Sequence, residues 1–552
     1  MNTFTETTVI DAVLLRRILV GGALGIRSNV QQINELNVFP VPDGDTGTNM
    51  LRTIESGISR LPKGDEHTLG ELATEFAKGV VLGARGNSGV ILSQYISGIC
   101  SRLEGKTSAT VRELVEASLN GVRRAYSAVA KPVEGTMLTV VREIAEYALA
   151  HIDDNTTIEQ LLRLAIDEGS RSLARTKEIL PVLRESNVVD SGGAGCLSIA
   201  LGALNTIVGG EEPTIEFSTP VAQGQADYDL FTRESELAFG YCTECLVRLQ
   251  SAKCDPDTLD TEIVTKQLEA LGCDSIVALR DGDIMKVHAH TNTPSRVLDT
   301  CQIYGEFLEV KIENMTLQHT EKQIKKKNTT HKKYAVVAVC NGEGLTALFE
   351  NLGADKVIDG GQTSNPSSED FLGAFGEVDA DYIIVLPNNS NIILTAKQAA
   401  ELWNEGEVVV IPTKTIAQGY AAISVFNVGA ESIDDQIGDM TYAKDCVVSG
   451  EVVYACRDAV VNGASVKNGS AMAIVEGELV ATCNTDTEAA LALLDSIEDI
   501  DLCEIITLFV GEDVSDDKRV ALTEKIEEKY PNLELVTHIG GQSLYSYYIA
   551  VE

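Results

Sequence analysis

The chain has 552 residues, 44 % of them hydrophobic, with 82 acidic against 44 basic side chains and a formal net charge of −38. The length accommodates roughly two to four domains. The charge excludes nucleic acid as the main partner and disfavours docking on anionic lipid, because phosphate repels such a surface. No apolar run reaches the roughly 20 residues of a membrane span. The opening "MNTFTETTVIDAVLLRRILVGG" has no basic stretch before its apolar one, so it reads as a helix start and not a signal peptide. The twelve cysteines are therefore expected as thiols in the cytoplasm.

Residues 1–207 carry apolar residues at helical spacing in "VIDAVLLRRILVGGALGIRSNVQQINEL", "TLGELATEFAKGVVLGA", "TVRELVEASLNGVRRAYSAVA", "GTMLTVVREIAEYALAHI" and "TIEQLLRLAIDEGSRSLART". Short Gly, Asn or Asp loops separate them, which predicts an all-α antiparallel bundle or barrel. A linker is expected over 208–228. Residues 229–318 alternate as strands in "ECLVRLQ", "SIVALRDGDIMKVHAHT" and "EFLEVKIENM" around one helix, "DTEIVTKQLEALG", and predict a small α/β domain. The basic run over 319–333, "EKQIKKKNTTHKK" at its heart, reads as a solvated tether. From 334 to 552 strands such as "YAVVAVC" and "YIIVLP" alternate with helices, which predicts a mostly parallel sheet; a β-α-β pass closes the chain.

The first chemical motif is "NELNVFPVPDGDTGTNM", residues 34–50. Asp43 and Asp45 can share one site only if the backbone bends between them, and Gly44 permits the bend. Two carboxylates without a nearby thiol or imidazole suit a hard cation such as Mg²⁺ bridging phosphates. The alternative is a polar turn that caps the next helix. Three further Gly-rich helix starts stand beside it: Asn87–Ser88–Gly89 in "GARGNSGVILSQ", Gly135–Thr136–Met137 in "VEGTMLTVVRE", and Asp190 with Gly192 in "NVVDSGGAGC". Backbone N–H groups at such starts bind phosphate. The "GKTS" at 105–108 is a decoy: Cys100 stands where a phosphate-binding loop needs glycine, and no strand precedes it.

These four segments, in this order, resemble the nucleotide-binding subunit of dihydroxyacetone kinase and, more closely, its three-domain relative, the FakA family of fatty acid kinases. The resemblance implies a barrel of antiparallel helices with Mg-ATP at one end. It implies that Asp43 and Asp45 bind Mg²⁺ and act in catalysis. Thr46, Asn49, Asn87, Ser88, Gly89, Gly135, Thr136, Met137, Asp190 and Gly192 would surround the nucleotide. The dihydroxyacetone enzymes have a histidine where Thr46 stands, and upstream only Asn37 is offered here. Dihydroxyacetone is thus a weak substrate candidate, and the third metal ligand is unassigned.

A second constellation joins "GYCTEC" (240–245) to "KVHAHT" (286–291). Cys242, Cys245, His288 and His290 have the composition of a tetrahedral zinc site, with both histidines on one strand face. The alternative is two buried thiols and two surface histidines. The family resemblance supports Cys242 and the paired histidines as Zn²⁺ ligands; Cys245 departs from the pattern, as a fourth ligand or a small core residue. Loops "DGGQTSNPSSEDF" and "LPNNSNI" resemble the family's C-terminal region, which is similar to half of a DegV-type fatty-acid-binding protein.

The expectation is an ATP-dependent phosphotransferase. Its acceptor would be the carboxylate of a fatty acid presented by a separate DegV-type fatty-acid-binding protein, and its product an acyl phosphate; the assembly expected is a homodimer. Two alternatives stand beside it: a polyol kinase of the same fold, and a non-catalytic ATP-sensing zinc scaffold.

Overall fold

The computed structural model describes residues 6–37, 44–64, 66–209, 241–255, 259–281, 283–314, 331–361, 364–461 and 464–552. The chain divides into two compact units, Met1–Ser218 with His331–Glu552, and Thr219–Thr330. The first unit opens with α1 (Ala12–Arg27), α2 (Val30–Glu35), α3 (Thr46–Ser59), α4 (Leu69–Leu82), α5 (Gly86–Ser101), α6 (Val111–Ser127), α7 (Met137–His151), α8 (Ile158–Ile179), α9 (Pro181–Glu185) and α10 (Ser191–Gly209). One short strand pair, β1 (Val9–Ile10) with β2 (Ala109–Thr110), departs from the all-α expectation. Local sequence sets the helix starts. Thr68, Thr110 and Thr157 cap α4, α6 and α8, while Glu71, Glu113 and Gln160 reach back to the cap backbone.

By length and composition α10 could cross a membrane: it has 19 residues and a mean hydropathy of 1.4. Ser, Asn and Gly interrupt its apolar run, which hides this property from a reading by sequence. It packs along α1 backbone to backbone. A Cβ on Gly25 would lie 2.8 Å from the Gly202 Cα, and one on Gly202 2.6 Å from the Gly25 Cα.

The second unit contains β3 (Tyr241–Leu249), α11 (Thr261–Ala270), β4 (Asp274–Asp281), β5 (Ile284–Thr291), α12 (Pro294–Gln302) and β6 (Gly305–Asn314). Its sheet, in the order β4-β5-β3-β6, is antiparallel throughout. Cys245, Val247, Met285, Val287 and Ala289 form its core with Val264, Leu268, Val297 and Cys301 from the helices.

The first unit resumes with β7 (Lys332–Cys340), α13 (Glu343–Asn351), β8 (Lys356–Asp359), α14 (Ser368–Glu377), β9 (Ala380–Leu386), α15 (Ile393–Leu402), β10 (Glu407–Val410), α16 (Ile416–Ser424) and α17 (Ile433–Cys446). Strands β10-β9-β7-β8 make a wholly parallel sheet, as alternation of strand and helix predicts. The remainder corrects the expectation of a mostly parallel C-terminal region. It comprises β11 (Val448–Tyr454), β12 (Ala459–Val461), β13 (Ala464–Val466), β14 (Ala471–Val475), β15 (Glu478–Cys483), α18 (Asp486–Asp495), β16 (Ile505–Val510), α19 (Asp516–Lys529), β17 (Glu534–Ile539) and β18 (Tyr545–Val551). In the second sheet, β15-β14-β11-β18-β16-β17, only β16 and β17 run parallel. The β14–β15 hairpin turns at Glu476 and Gly477, both at positive φ, +49° and +84°. The usual sequence cue is Asn-Gly or Asp-Gly, so a Glu-Gly turn gives little warning of itself.

The basic tether also needs correction at its end. His331 pairs with Asp379 at 2.9 Å, Lys332 begins β7 and pairs with Asp355 at 2.5 Å, and the Lys333 ammonium donates to the Glu431 carbonyl at 2.6 Å. The rest of that segment, 315–330, and the expected linker from 210 to 228 lie outside the described residues.

Within the first unit the helical and C-terminal regions pack directly, α15 against α5. Gln398, buried on α15, is the centre of a polar joint. Its amide nitrogen donates to the Val81 carbonyl at 2.7 Å and to Ser368 Oγ at 3.1 Å, and its Oε1 accepts from Gln94 at 2.8 Å.

Candidate nucleotide site

Asp45 stands at the N-cap position of α3 yet makes no capping bond with its side chain. Asn34, from α2, does that work instead. Its Oδ1 accepts from the Gly47 N–H at 2.8 Å and the Thr48 N–H at 3.3 Å, and its Nδ2 donates to Thr48 Oγ1 at 3.0 Å. Orphan amides at a helix start must find an acceptor. With Asn34 supplying it, the Asp45 carboxylate is released from capping. Its Oδ2 accepts a hydrogen bond from the Asn365 amide. Asp43 lies outside the described residues, so the geometry of the aspartate pair rests on Asp45.

Four helix starts converge here. Ser191 Oγ, at the head of α10, donates to Thr46 Oγ1 at 3.3 Å, and Thr46 Oγ1 donates to Asn37 Oδ1 at 3.0 Å. The start of α5 lies against α3: a Cβ on Gly86, at φ +58°, would fall 2.6 Å from Asn49 Nδ2. Asn49 is buried. Asn87 and Ser88 are half-buried in the first turn of α5, and Gly89 packs on Thr53. No side chain caps α5, which leaves this start the one best suited to phosphate.

The starts of α7 and α10 are tied together by Asp190. Its carboxylate accepts from the Gly193 N–H at 2.7 Å, and also from the backbone N–H groups of Gly192 and Met137. Desolvation pushes this carboxyl up to about 6, against the pull of those N–H groups. Asp190 therefore positions two helix starts. Gly135, at φ +85°, donates its N–H to Thr139 Oγ1 at 2.8 Å, and Thr139 in turn donates to Glu134 at 2.6 Å. Thr136 turns back on the Val133 carbonyl at 2.8 Å.

Three site residues are missed by sequence reasoning. Asn34 carries no signal beyond its place at the head of the quoted motif. Arg85 precedes α5; its NH1 donates to the Asn365 carbonyl at 2.8 Å and lies 3.3 Å from Asp370. Desolvation pulls its pKa down, Asp370 opposes this, and Arg52 adds to it; an arginine keeps its charge under such pressure. Asn365 arrives from the C-terminal region, and no local pattern could assign it to this site.

In the second unit the register sets Cys242 directly opposite His290, with His288 two residues along β5. The side chains of Cys242, His288 and His290 lie outside the described residues. Cys245 is 3 % exposed and sits in the core beside Val287 and Ala289, the residues that alternate with those histidines. This corrects the four-ligand expectation: Cys245 is a core thiol hydrogen-bonded to Cys301. Among the described residues no cluster of three or more His, Cys, Asp or Glu side chains could hold a metal.

Family models match nearly the whole chain: the DAK2 domain over residues 40–205, the middle domain of FakA-like fatty acid kinase proteins over 238–322, and their C-terminal domain over 335–552. The fold and the site therefore define a multi-domain protein built on a DAK2 domain. The chain belongs to the FakA-like family of fatty acid kinase proteins. It is 38 % identical over 556 residues to Protein YloV of Bacillus subtilis, covering 98 % of this chain and 99 % of that protein. It is 37 % identical over 558 residues, with the same coverage, to the uncharacterized protein SH1689 of Staphylococcus haemolyticus. Among solved structures, DegV, a fatty acid binding protein from Bacillus subtilis, shares 15 % identity with a TM-score of 0.32, covering 40 % of this chain and 99 % of that one.

Proposed function

We propose that the chain is the ATP-dependent kinase component of a fatty acid kinase. It would transfer the γ-phosphoryl group of ATP to the carboxylate of a fatty acid held by a separate DegV-type fatty-acid-binding protein. The product is an acyl phosphate. One observation carries this reading: Asn34 caps α3 in place of Asp45, leaving a carboxylate where four helix starts meet. The donor set fits a magnesium ion: an aspartate carboxylate, the Asn37 amide oxygen and the Thr46 hydroxyl, all hard oxygen donors. Asp45 with Asp43 would hold the ion. When bound, Mg²⁺ supplies charge neutralisation between the phosphates.

The chain's own groups do the rest by positioning. The Asn87 and Ser88 N–H groups at the start of α5 would meet phosphate oxygens, while the Gly89 N–H is taken by the Arg85 carbonyl at 3.1 Å. Arg85 adds positive charge at the same end, and Asp190 holds the starts of α7 and α10 in register. Gly135, Thr136, Met137, Asn49 and Gly192 line it. A fatty acid carboxyl, with a pKa near that of Glu, about 4.3, is ionised at neutral pH and attacks without a general base. A polyol hydroxyl needs a base, and no histidine stands among the described residues of these four helix starts. That favours the carboxylate over the polyol.

Zinc on Cys242, His288 and His290 belongs to the same reading, supported by the Cys242–His290 register. Its role is to stabilise the second unit. Exposed Leu308, Val310 and Ile312 along β6 support a homodimer. No disulfide joins any two of the eleven described cysteines, which supports a reducing, cytoplasmic location.

The test is ADP formation by the purified chain with oleate, with and without a DegV-type protein loaded with oleate. Turnover that requires the loaded partner is expected. Rapid phosphorylation of free oleate, or of dihydroxyacetone, would refute the two-protein model. Binding of ATP without turnover on any acceptor would favour the scaffold.

A further inference from the structure

Asn365 enters the nucleotide site from the other region of the first unit. It is 2 % exposed. Its Nδ2 donates to Asp45 Oδ2, and its carbonyl accepts from Arg85 NH1 at 2.8 Å. Its neighbours are fixed as well. Residues 361 and 364 bridge each other, Ser367 pairs as an isolated bridge with Arg85, and Ser367 caps α14 in a reciprocal box with Asp370. The amide lies at the first turn of α5, where a Cβ on Gly86 would be 3.2 Å from its Nδ2.

The other end of the amide is unsatisfied. Asn365 Oδ1 is buried and has no hydrogen-bond partner among the described residues. A buried acceptor in that state calls for a donor. A phosphate oxygen cannot serve, being an acceptor itself. A water bound to a divalent cation can, and magnesium characteristically keeps several of its waters.

We infer that Asn365, though it belongs to the C-terminal region, is a positioning residue of the metal site: its N–H orients the Asp45 carboxylate, and its Oδ1 accepts from a water on the cation. This rests on the Mg-ATP reading of Asp45. Groups in this outer position typically alter metal affinity by about 10- to 100-fold when removed. The C-terminal region therefore contributes to the nucleotide site through this one side chain.

The experiment titrates Mg²⁺ at fixed ATP with the full chain and reads ATP binding, alongside ATP binding in chelator. Asn365→Ala should raise the half-saturating Mg²⁺ by about 10- to 100-fold while metal-free ATP binding stays close to wild type. Asn365→Ser, which keeps a small polar group, guards against a folding defect and is read in the same way, with a smaller rise. Gln398→Leu loosens the same joint without touching Asp45 and should leave the Mg²⁺ midpoint in place. An unchanged midpoint in both Asn365 variants overturns the inference. So does an equal loss of metal-free binding, or a Gln398→Leu shift as large as that of Asn365→Ala, either of which marks a purely structural role. Wild-type protein that binds ATP without any response to Mg²⁺ would overturn the kinase reading itself, an outcome separable from the others because it needs no variant.

Discussion

The amide of Asn365 donates to the carboxylate of Asp45 across 320 residues of sequence. This joins the region that matches the DAK2 model to the region that matches the C-terminal one. The carboxylate is available for that bond because Asn34 has taken over its capping duty.

Asp45→Ala should therefore separate activity from folding. Its side chain caps nothing but satisfies the buried Asn365 amide, so the chain should stay folded with a loss of about 1–3 kcal/mol, the cost of stranding that donor. Partner-dependent ADP formation should fall by roughly two orders of magnitude or more, the scale of lost metal and positioning. A variant with near-normal turnover at saturating Mg-ATP would remove Asp45 from the chemistry.

Asn34→Ala makes the opposite prediction about capping. It strips the acceptor from the Gly47 and Thr48 amides, at a cost of about 1 kcal/mol. Asp45 then becomes the nearest acceptor at the helix start, and its recruitment should weaken Mg²⁺ binding. Asn34→Asp should restore stability. A Mg²⁺ titration and thermal melts on both variants would show whether capping and metal binding compete for one carboxylate.

Asp190 supplies a pH signature. Its folded pKa is raised, to about 6, above the ordinary carboxylate value. Between that ordinary value and about 6 the folded state holds the extra proton, so this group's contribution to stability declines as pH rises through that window and levels off above it. Asp190→Asn cannot ionise and should lack that decline. Subtracting its melting curves from wild type between pH 4 and 7 isolates the effect; parallel curves would show that Asp190 titrates normally.

For the second unit, metal analysis of chain purified without chelator should find one zinc. His288→Ala or Cys242→Ala should release it. Cys245→Ala should retain it, since that thiol lies in the core with Cys301. Zinc lost with Cys245→Ala would reinstate it as a ligand. Absence of zinc from the wild type would remove the site.

Much of this is legible in the chain because local rules set it. Helical spacing locates the long helices, capping boxes mark Thr68, Thr110 and Thr157, and Gly-rich helix starts mark the loops that converge. What escapes is non-local or unconventional. The second C-terminal sheet is hard to read because β11, β14 and β15 follow one another with no helix between them, and because the β14–β15 hairpin turns on Glu476–Gly477. Cys245 looks like a ligand because C-x-x-C spacing is a metal signal, but on a strand a separation of three places the two cysteines on alternate faces. Asn34, Arg85 and Asn365 are ordinary residues whose meaning comes from what they touch, and Asn365 touches a segment far away in sequence.

The first unit is discontinuous: the chain leaves it after Ser218 and returns at His331. During synthesis at about 5–20 residues per second, the helical region emerges well before Asn365. The 320 residues between Asp45 and Asn365 correspond to roughly 15 to 60 s of translation at that rate. On the proposed reading, a nascent or prematurely terminated chain would lack the side chain that orients Asp45 and would need about 10- to 100-fold more Mg²⁺ at that site. Completion of the polypeptide would then set the metal affinity of the site, and fragments released early by the ribosome would hold Mg²⁺ only weakly.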